Sequence, residues 1–518
     1  MNRLFFTFFS FGIALTTLAK PIDVETGRKT AENFFNTISK TKKTIKASNN
    51  KMMLVYESPI KTRNKHKSSE FYVFSPTDSI GFVIVAGDDE VTPIVGYSSS
   101  SKFLSHDIPT ALAKYLSSYS QYIQQIWKGT GKPKTQYEED VIPISPLIRT
   151  TWNQTHPYNK YCPKINGKST YTGCVATAVA QLMKYHEWPK KGHGTCFATL
   201  NDGDSTKVVT NLEKDYQWNI MRNSYYSYSY TTAEANAVAQ LMKDVGYACN
   251  VHYGVNSTSA YTYNAVTALL RHFDYSPQIQ FVDRNYYSND AWNNMIYKNL
   301  SEGQPVLYCG NDKNGEEGHF FICSGVDQDG RYHINWGWGS LCDGYFDFNA
   351  LTPNGFDYNY DQQAIINIKP IEEDESEKDY KLIPHVGRIE ITEQNNSIVT
   401  PKVTYTIYVT NTTDKVISGQ TGYAIFKNGK MISDEINELI TYNNLKPGWY
   451  WWYSEQWIRW NNAVEMSQGI REIRFFWRPN DKYEWYEPFG EHTIYMLTTE
   501  DGHYFTTNKE EFDDSNDI

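Results

Sequence analysis

The chain has 518 residues, 21% charged and 15% aromatic, a balance that rules out a disordered, collagen-like or coiled-coil polypeptide and fills about three domains. Its 49 Lys and Arg against 59 Asp and Glu leave a formal charge of −10, which argues against a sequence-independent nucleic-acid binder, because such affinity comes from neutralising phosphates. The 40 Tyr and 14 Trp favour β-rich structure with half-exposed aromatic faces.

Residues 1–19 read as a signal peptide. Arg3 supplies a short positive start, residues 4–15 an apolar centre, and Thr17-Leu18-Ala19 small residues where a signal peptidase cuts. The run falls short of the roughly 20 residues that span a bilayer, and Lys20-Pro21 ends it. An exported, secreted protein without a transmembrane segment is therefore expected. Residues 20–140 form the next unit. A helix is predicted over 24–35, with Ala31, Phe34 and Phe35 on one side, followed by strands at 71–74 and 81–87. A second helix over 111–127 carries Leu112, Leu116, Tyr119, Ile123 and Trp127 at spacings of three and four. The basic, breaker-rich stretch 128–134 is a linker open to proteolysis.

Residues 141–369 form a second unit, and 370–380 (PIEEDESEKDY) an acidic linker of the kind that separates domains. Residues 381–518 alternate apolar and polar side chains, as in 399–409, with turn signals at 410–414 and 427–429, and read as an antiparallel β-sandwich. Seven cysteines, at 162, 174, 196, 249, 309, 323 and 342, are an odd set for an exported protein and show no zinc spacing. Most are read as small buried hydrophobes, and no disulfide is assigned.

The chemistry lies in the second unit. After Gly173 the pattern turns helical, with Ala176, Val179, Ala180 and Met183 on one face. Cys174 sits in the first turn, where unpaired N–H groups and the helix dipole favour an anion and lower a thiol pKa. Taken alone, a buried cysteine at a helix start is the plainer reading. A thiolate nucleophile needs a base. Of the 12 histidines, His319 is the best candidate, because it follows the polar loop 310–318 and opens the apolar run 320–323. His333 is its rival but lies within a predicted strand, and His186 and His193 are read as structural. Trp336 and Trp338, separated by Gly337, suit a cleft wall or an aromatic core edge.

These blocks in this order resemble the streptopain family of secreted cysteine peptidases, peptidase family C10. They are Trp152 to Asn159, Gly173-Cys174 with Gln181 to His186, Gly318-His319, and Tyr332 to Gly339. The segments 81–89 and 94–98 resemble the family's inhibitory propeptide. The resemblance implies a papain-like peptidase domain at 141–369 preceded by an α+β propeptide at 20–140; with the all-β sandwich-like C-terminal domain, read from its alternation and outside the match, the expected fold class is α+β. It implies Cys174 as nucleophile, His319 as general base and Gln154 as an oxyanion-hole donor. Trp336 and Trp338 would line the cleft, Ser259 in the loop 253–260 and Gly318 would contact substrate, and Asn335 is the nearest residue that could orient the histidine. Ser340 stands where the family usually has glycine, which would add a side chain beside the cleft. The partners implied are protein or peptide substrates and the chain's own propeptide, which would block the site until cut near 128–145.

Two other readings rest on the residues. The aromatic stretch 448–453 with Trp457 and Trp460 could hold glycans or a protein partner, or form sandwich core with an aromatic edge, which is the favoured reading. A cell-wall amidase or transglutaminase uses similar Cys–His parts, but the paired tryptophans and the N-terminal unit speak against both. No cofactor or metal is expected. Asp327-Gln328-Asp329-Gly330 reads as a hairpin turn without the later Glu of an EF-hand.

Overall fold

The structure, a computed structural model, describes residues 20–41, 51–59, 68–130, 141–347, 362–372, 385–507, 509 and 512, apart from 107, 227–228, 285–286, 288, 312–317, 400, 414, 461–466, 481–483 and 491. The expected signal peptide, residues 131–134 of the first linker with 135–140 after it, 312–317 of the loop before His319 and 373–380 of the acidic linker lie outside the described residues.

The N-terminal unit consists of α1 (Val24–Thr41), β1 (Met52–Glu57), β2 (Phe71–Pro76), β3 (Phe82–Ala86), β4 (Ile94–Ser98) and α2 (Thr110–Trp127). The second unit contributes α3 (Cys174–His186), α4 (Thr232–Ala248), α5 (Tyr263–His272), β5 (Gln280–Asp283) and α6 (Asn289–Ser301). It continues with β6 (Val306–Asn311), β7 (Gly318–Val326), β8 (Tyr332–Asn335), β9 (Gly344–Phe346) and β10 (Gln363–Ile366). Both units feed one ten-stranded sheet, in the order β1-β2-β3-β4-β9-β8-β7-β6-β10-β5, with every pairing antiparallel.

The period of two along each strand sorts side chains between the two faces of this sheet. On β7, Phe320 and Ile322 enter the core around α3, whereas Phe321 and Cys323 enter the core on the opposite face. That second core runs beneath both units: Phe71, Val73, Phe82 and Ile84 share it with Ile334, Trp336 and Phe346. The apolar stripe of α2 and Trp292, Ile296 and Leu300 of α6 cover it. On the upper face of the N-terminal strands, Ala31 and Phe35 of α1 pack on Tyr72, Phe74, Val83 and Val85. The predicted helices and strands of this unit are thus present, but its sheet does not stop at its own boundary.

The seam between the units is short and tight. Tyr97 pairs with Tyr345 and Gly96 with Phe346, and the two tyrosine rings stack with centroids 5.3 Å apart. Beside it, the hairpin turn after β7 folds as read from sequence: Asp327 Oδ1 accepts the backbone N–H groups of Asp329 and Arg331 at 3.0 and 2.8 Å. The buried Arg331 bonds Asp327, Asp329 and the carbonyl of Ile94, and Tyr97 donates its hydroxyl to Asp327 at 3.1 Å. Every polar group taken out of water there has a partner.

Residues 385–507 form a two-sheet sandwich, as expected. One sheet holds β11 (His385–Asn395), β12 (Lys402–Thr410) and, from later in the chain, β14 (Tyr450–Trp457); the other holds β13 (Ile417–Lys427), β15 (Gly469–Pro479), β16 (Thr493–Thr498) and β17 (His503–Thr506). Val403, Tyr405, Ile407 and Val409 of β12 point into its core with Tyr423, Ile473 and Ile494. The aromatic stretch lies mostly outside: Trp449, Trp451, Trp452 and Trp457 are exposed along the edge strand β14. Among the described residues, no helix is long and apolar enough to cross a membrane.

A Cβ at Gly344 would sit 2.4 Å from the carbonyl oxygen of Tyr97, too close for the seam to hold. Gly344→Val should therefore cost about 1–3 kcal/mol of stability by overpacking. In a limited-proteolysis time course it should release the N-terminal unit faster than the parent chain does.

Candidate active site

The site is built on α3. Its residues from Val175 to Met183 are buried, so the helix is a fixed post in the core, and Cys174 opens it at the edge of a cleft. Gly173 precedes it with φ +88°, and a Cβ there would come within 2.9 Å of the Thr258 side chain. Glycine is required both by backbone conformation and by space. Thr258 in turn donates to the carbonyl of Tyr171 at 2.8 Å, which pins the loop carrying Ser259 beside Cys174.

His319 opens β7 and is buried. Its Nε2 lies 3.2 Å from the carbonyl oxygen of Trp336. A carbonyl only accepts, so Nε2 carries the hydrogen, leaving Nδ1 for the thiol. Burial pushes the Cys174 thiol up, but the hydrogen bond and charge of His319, with the backbone N–H groups of Phe320 and Val175, bring it below the ordinary thiol value. The contrast within the chain is sharp. Burial pushes Cys162, Cys196 and Cys342 up to about 12, and Cys249 and Cys323 higher still. No disulfide joins any of the seven thiols, and six are buried.

A cavity of about 830 Å³ holds Cys174 and His319, and Gln154, Ser259, Gly318 and Trp338 line it with them. Two sequence expectations are corrected. Trp336 does not line the cleft: it is 1% exposed, its Nε1 donates to the carbonyl of Cys342 at 3.0 Å, and its ring packs 4.9 Å from that of Phe321. The left-handed turn at Gly337, φ +73°, sends the two tryptophans different ways, so only Trp338 reaches the cavity. Asn335 does not orient the histidine either. Its amide pairs with Gln181 at 3.1 and 3.2 Å and also bonds the carbonyl of Thr150 and the N–H of Gly337. The backbone of Trp336 performs the orienting contact instead. Ser340 holds a left-handed φ of +68° and lies outside the cavity lining, so the turn accepts a side chain there without filling the cleft.

Gln181 is the residue that spacing alone could not single out. Its buried Oε1 accepts from Thr150 Oγ1 at 3.0 Å and from the N–H of Trp152 at 3.1 Å. It thereby ties the segment ending at Gln154 to α3. The only hint in the sequence is a polar residue on the buried face of an otherwise apolar helix. Asp343 is a second such residue. It accepts the N–H of Trp336 at 2.9 Å, and burial raises its carboxyl to about 7. His333 bonds Ser324 and His186 approaches Tyr275; neither lines the cavity, as their structural reading requires. Among the described residues, no group of three or more His, Cys, Asp or Glu side chains is placed to hold a metal.

The thiol chemistry yields a pH prediction. Because His319 lowers the Cys174 pKa and burial opposes it, iodoacetamide should alkylate Cys174 with a midpoint below 9, the ordinary thiol value. His319→Ala keeps the burial and loses the lowering contact, so its midpoint should rise above that value. Peptide-resolved mass spectrometry across pH would read both, with the buried thiols as unreactive references.

Residues 152–346 match the Peptidase C10 family, and residues 19–123 match the Spi protease inhibitor family. Streptopain of Streptococcus pyogenes serotype M28 is 32% identical over 332 residues, covering 58% of this chain and 81% of streptopain. The thiol protease/hemagglutinin PrtT of Porphyromonas gingivalis is 29% identical over 397 residues; the match takes in 71% of this chain and spans 44% of PrtT. A solved fragment of prointerpain A from Prevotella intermedia superposes with a TM-score of 0.54 at 28% identity, covering 62% of this chain and 100% of the fragment. With a helix-borne cysteine, a strand-borne histidine and an inhibitor-like module on the same sheet, the chain belongs to the streptopain-like Peptidase C10 family of cysteine peptidases.

Proposed function

We propose that the chain is a secreted cysteine endopeptidase made as a zymogen, with Cys174 as nucleophile, His319 as proton carrier and Gln154 in the oxyanion hole. The observation that carries this reading is the pairing of Cys174, at the first turn of α3, with the buried His319 in one cavity; that contact lowers the Cys174 thiol, whereas burial raises Cys162, Cys196, Cys249, Cys323 and Cys342. The thiolate attacks the carbonyl carbon of a bound peptide, forming a C–S bond and a tetrahedral oxyanion. The backbone N–H of Cys174 and the amide of Gln154 donate to that oxygen as charge develops on it. His319 then gives its proton to the departing amine, the C–N bond breaks and a thioester remains. Water, deprotonated by the same imidazole, attacks the thioester, and the C–S bond breaks to restore the thiolate and release the acid product.

The inhibitory role of residues 20–140 is supported by the match to a protease inhibitor family and by the seam at β9. It differs from simple blockage. Among the described residues, none of 20–130 lines the cavity. The unit instead grips the turn that supports the histidine: the N–H of Cys342 donates to the carbonyl of Lys102 at 3.0 Å, and Phe82 and Tyr115 lie against Phe346. We read inhibition as acting through this segment, and cleavage within 128–145 as the step that frees it. Secretion rests on the apolar run 4–15 and on the compartment its streptopain-like chemistry suits.

Gln154→Ala should lower kcat on a peptide amide by about 10²–10³-fold, the usual loss for one oxyanion donor, with little change in KM. Steady-state kinetics on a fluorogenic peptide reads this. Unchanged kcat would remove Gln154 from the mechanism.

A further inference from the structure

The C-terminal sandwich does not merely trail behind the peptidase. Two of its side chains, Tyr408 of β12 and Tyr450 of β14, line the same cavity as Cys174 and His319. Their rings lie 6.3 Å apart, so they form one continuous patch.

Several contacts hold that patch in place. On β12 the even-numbered residues point away from the sandwich core, where side chains usually meet water. Here Thr404, Thr406 and Thr410 are buried, which requires something to cover this outer face. Tyr263 of α5 reaches Thr410 and so supplies part of that cover. The turn before β14 is packed on the end of α5 so tightly that a Cβ at Gly448 would meet Arg271 Nη1 at 2.4 Å. At the hinge, the N–H of Ile371 donates to the carbonyl of Asp274 and that of Ser276 to the carbonyl of Lys369, at 3.0 and 2.9 Å. The turn before β14 thus seats the sandwich against the end of α5.

Sheet order tells which flank of the cleft the tyrosines extend. Trp338 follows β8, on one side of the histidine strand β7. The cavity residues Cys309, Gln363 and Phe281 come from β6, β10 and β5, on the other side. Tyr263 packs on Phe281 with ring centroids 5.6 Å apart, and Tyr408 and Tyr450 continue from there. We propose that the C-terminal domain supplies a built-in substrate subsite, in which Tyr408 and Tyr450 hold an apolar side chain of an extended polypeptide on the flank remote from Trp338. The surface it offers is aromatic and continuous with the reacting centre, which suits a chain segment leaving that centre. This inference rests on the peptidase reading and makes the sandwich part of the enzyme's selectivity.

The test compares three fluorogenic substrates with the activated protein that keeps residues 385–507: a short amide ending close to the scissile bond, and two peptides, each extended by several residues with an apolar side chain to one side of it. The extended peptide on one side should be cleaved at least tenfold better than the short one. Tyr408→Ala/Tyr450→Ala should cut that preference about tenfold, through KM, as expected for loss of an aromatic contact. Trp457→Ala, on the same edge strand but outside the cavity, should keep it. A preference unchanged in the double variant, with an unchanged thermal unfolding midpoint, would overturn the proposal. So would loss of residues 385–507 during activation, read by intact mass. Failure of the wild type on both short and extended substrates would instead sink the peptidase reading, and this subsite with it.

Discussion

One buried amide holds the two halves of the site together. Gln181 sits inside α3, and its side chain bonds Thr150 and the Trp152 backbone on one side and Asn335 on the other. Trp152 leads within two residues to Gln154; Asn335 is followed directly by Trp336, whose carbonyl engages His319. The helix also presents Cys174, so the proposed nucleophile, oxyanion donor and base are all referred to one post. An unpaired amide in such a place costs about 1–3 kcal/mol, and here each end is satisfied. The placement of Cys174 and of the Trp336 carbonyl that meets His319 is thereby tied to the core.

The same economy bears on how the N-terminal unit, none of whose described residues lines the cavity, would act on the site in the proposed zymogen. Its four strands continue the catalytic sheet through β9, and its apolar side chains complete the core that holds Trp336. Arg331 and Asp327 are desolvated against Tyr97 and Ile94 at that seam. In the proposed activation, departure of the unit would return these charged groups to water and leave β9 as a sheet edge. The Trp336–Asp343 turn, one covalent step from the histidine's partner, lies at the place where that change is felt.

Much of this was legible in the sequence where local pattern and chemistry coincide. The helix after Gly173 follows from its apolar spacing, and the position of Cys174 in its first turn carries its own reason for a low pKa. The alternation in 399–409 announces a sandwich strand. What stayed hidden depends on partners distant along the chain. Trp336 and Trp338 look alike until Gly337 turns the backbone left-handed and sends one to the core. Asn335 looks like a histidine partner until Gln181, 154 residues away, takes its amide. The stretch 343–346 reads as a strand, but nothing in it shows that it pairs with β4 of the N-terminal unit, and nothing in 400–450 hints that two of its tyrosines meet the cleft.

The central claim is that Cys174 is a working nucleophile restrained by the chain's own N-terminal unit. The most direct measurement is the intact mass over time of the purified chain from residue 20, with reductant at mildly acidic to neutral pH, as wild type and as Cys174→Ala. The wild type should lose its N-terminal unit by a cut within 128–145, and the variant should keep its full mass. Processing of both at equal rates would contradict the claim, because the cut would then owe nothing to the Cys174 thiolate.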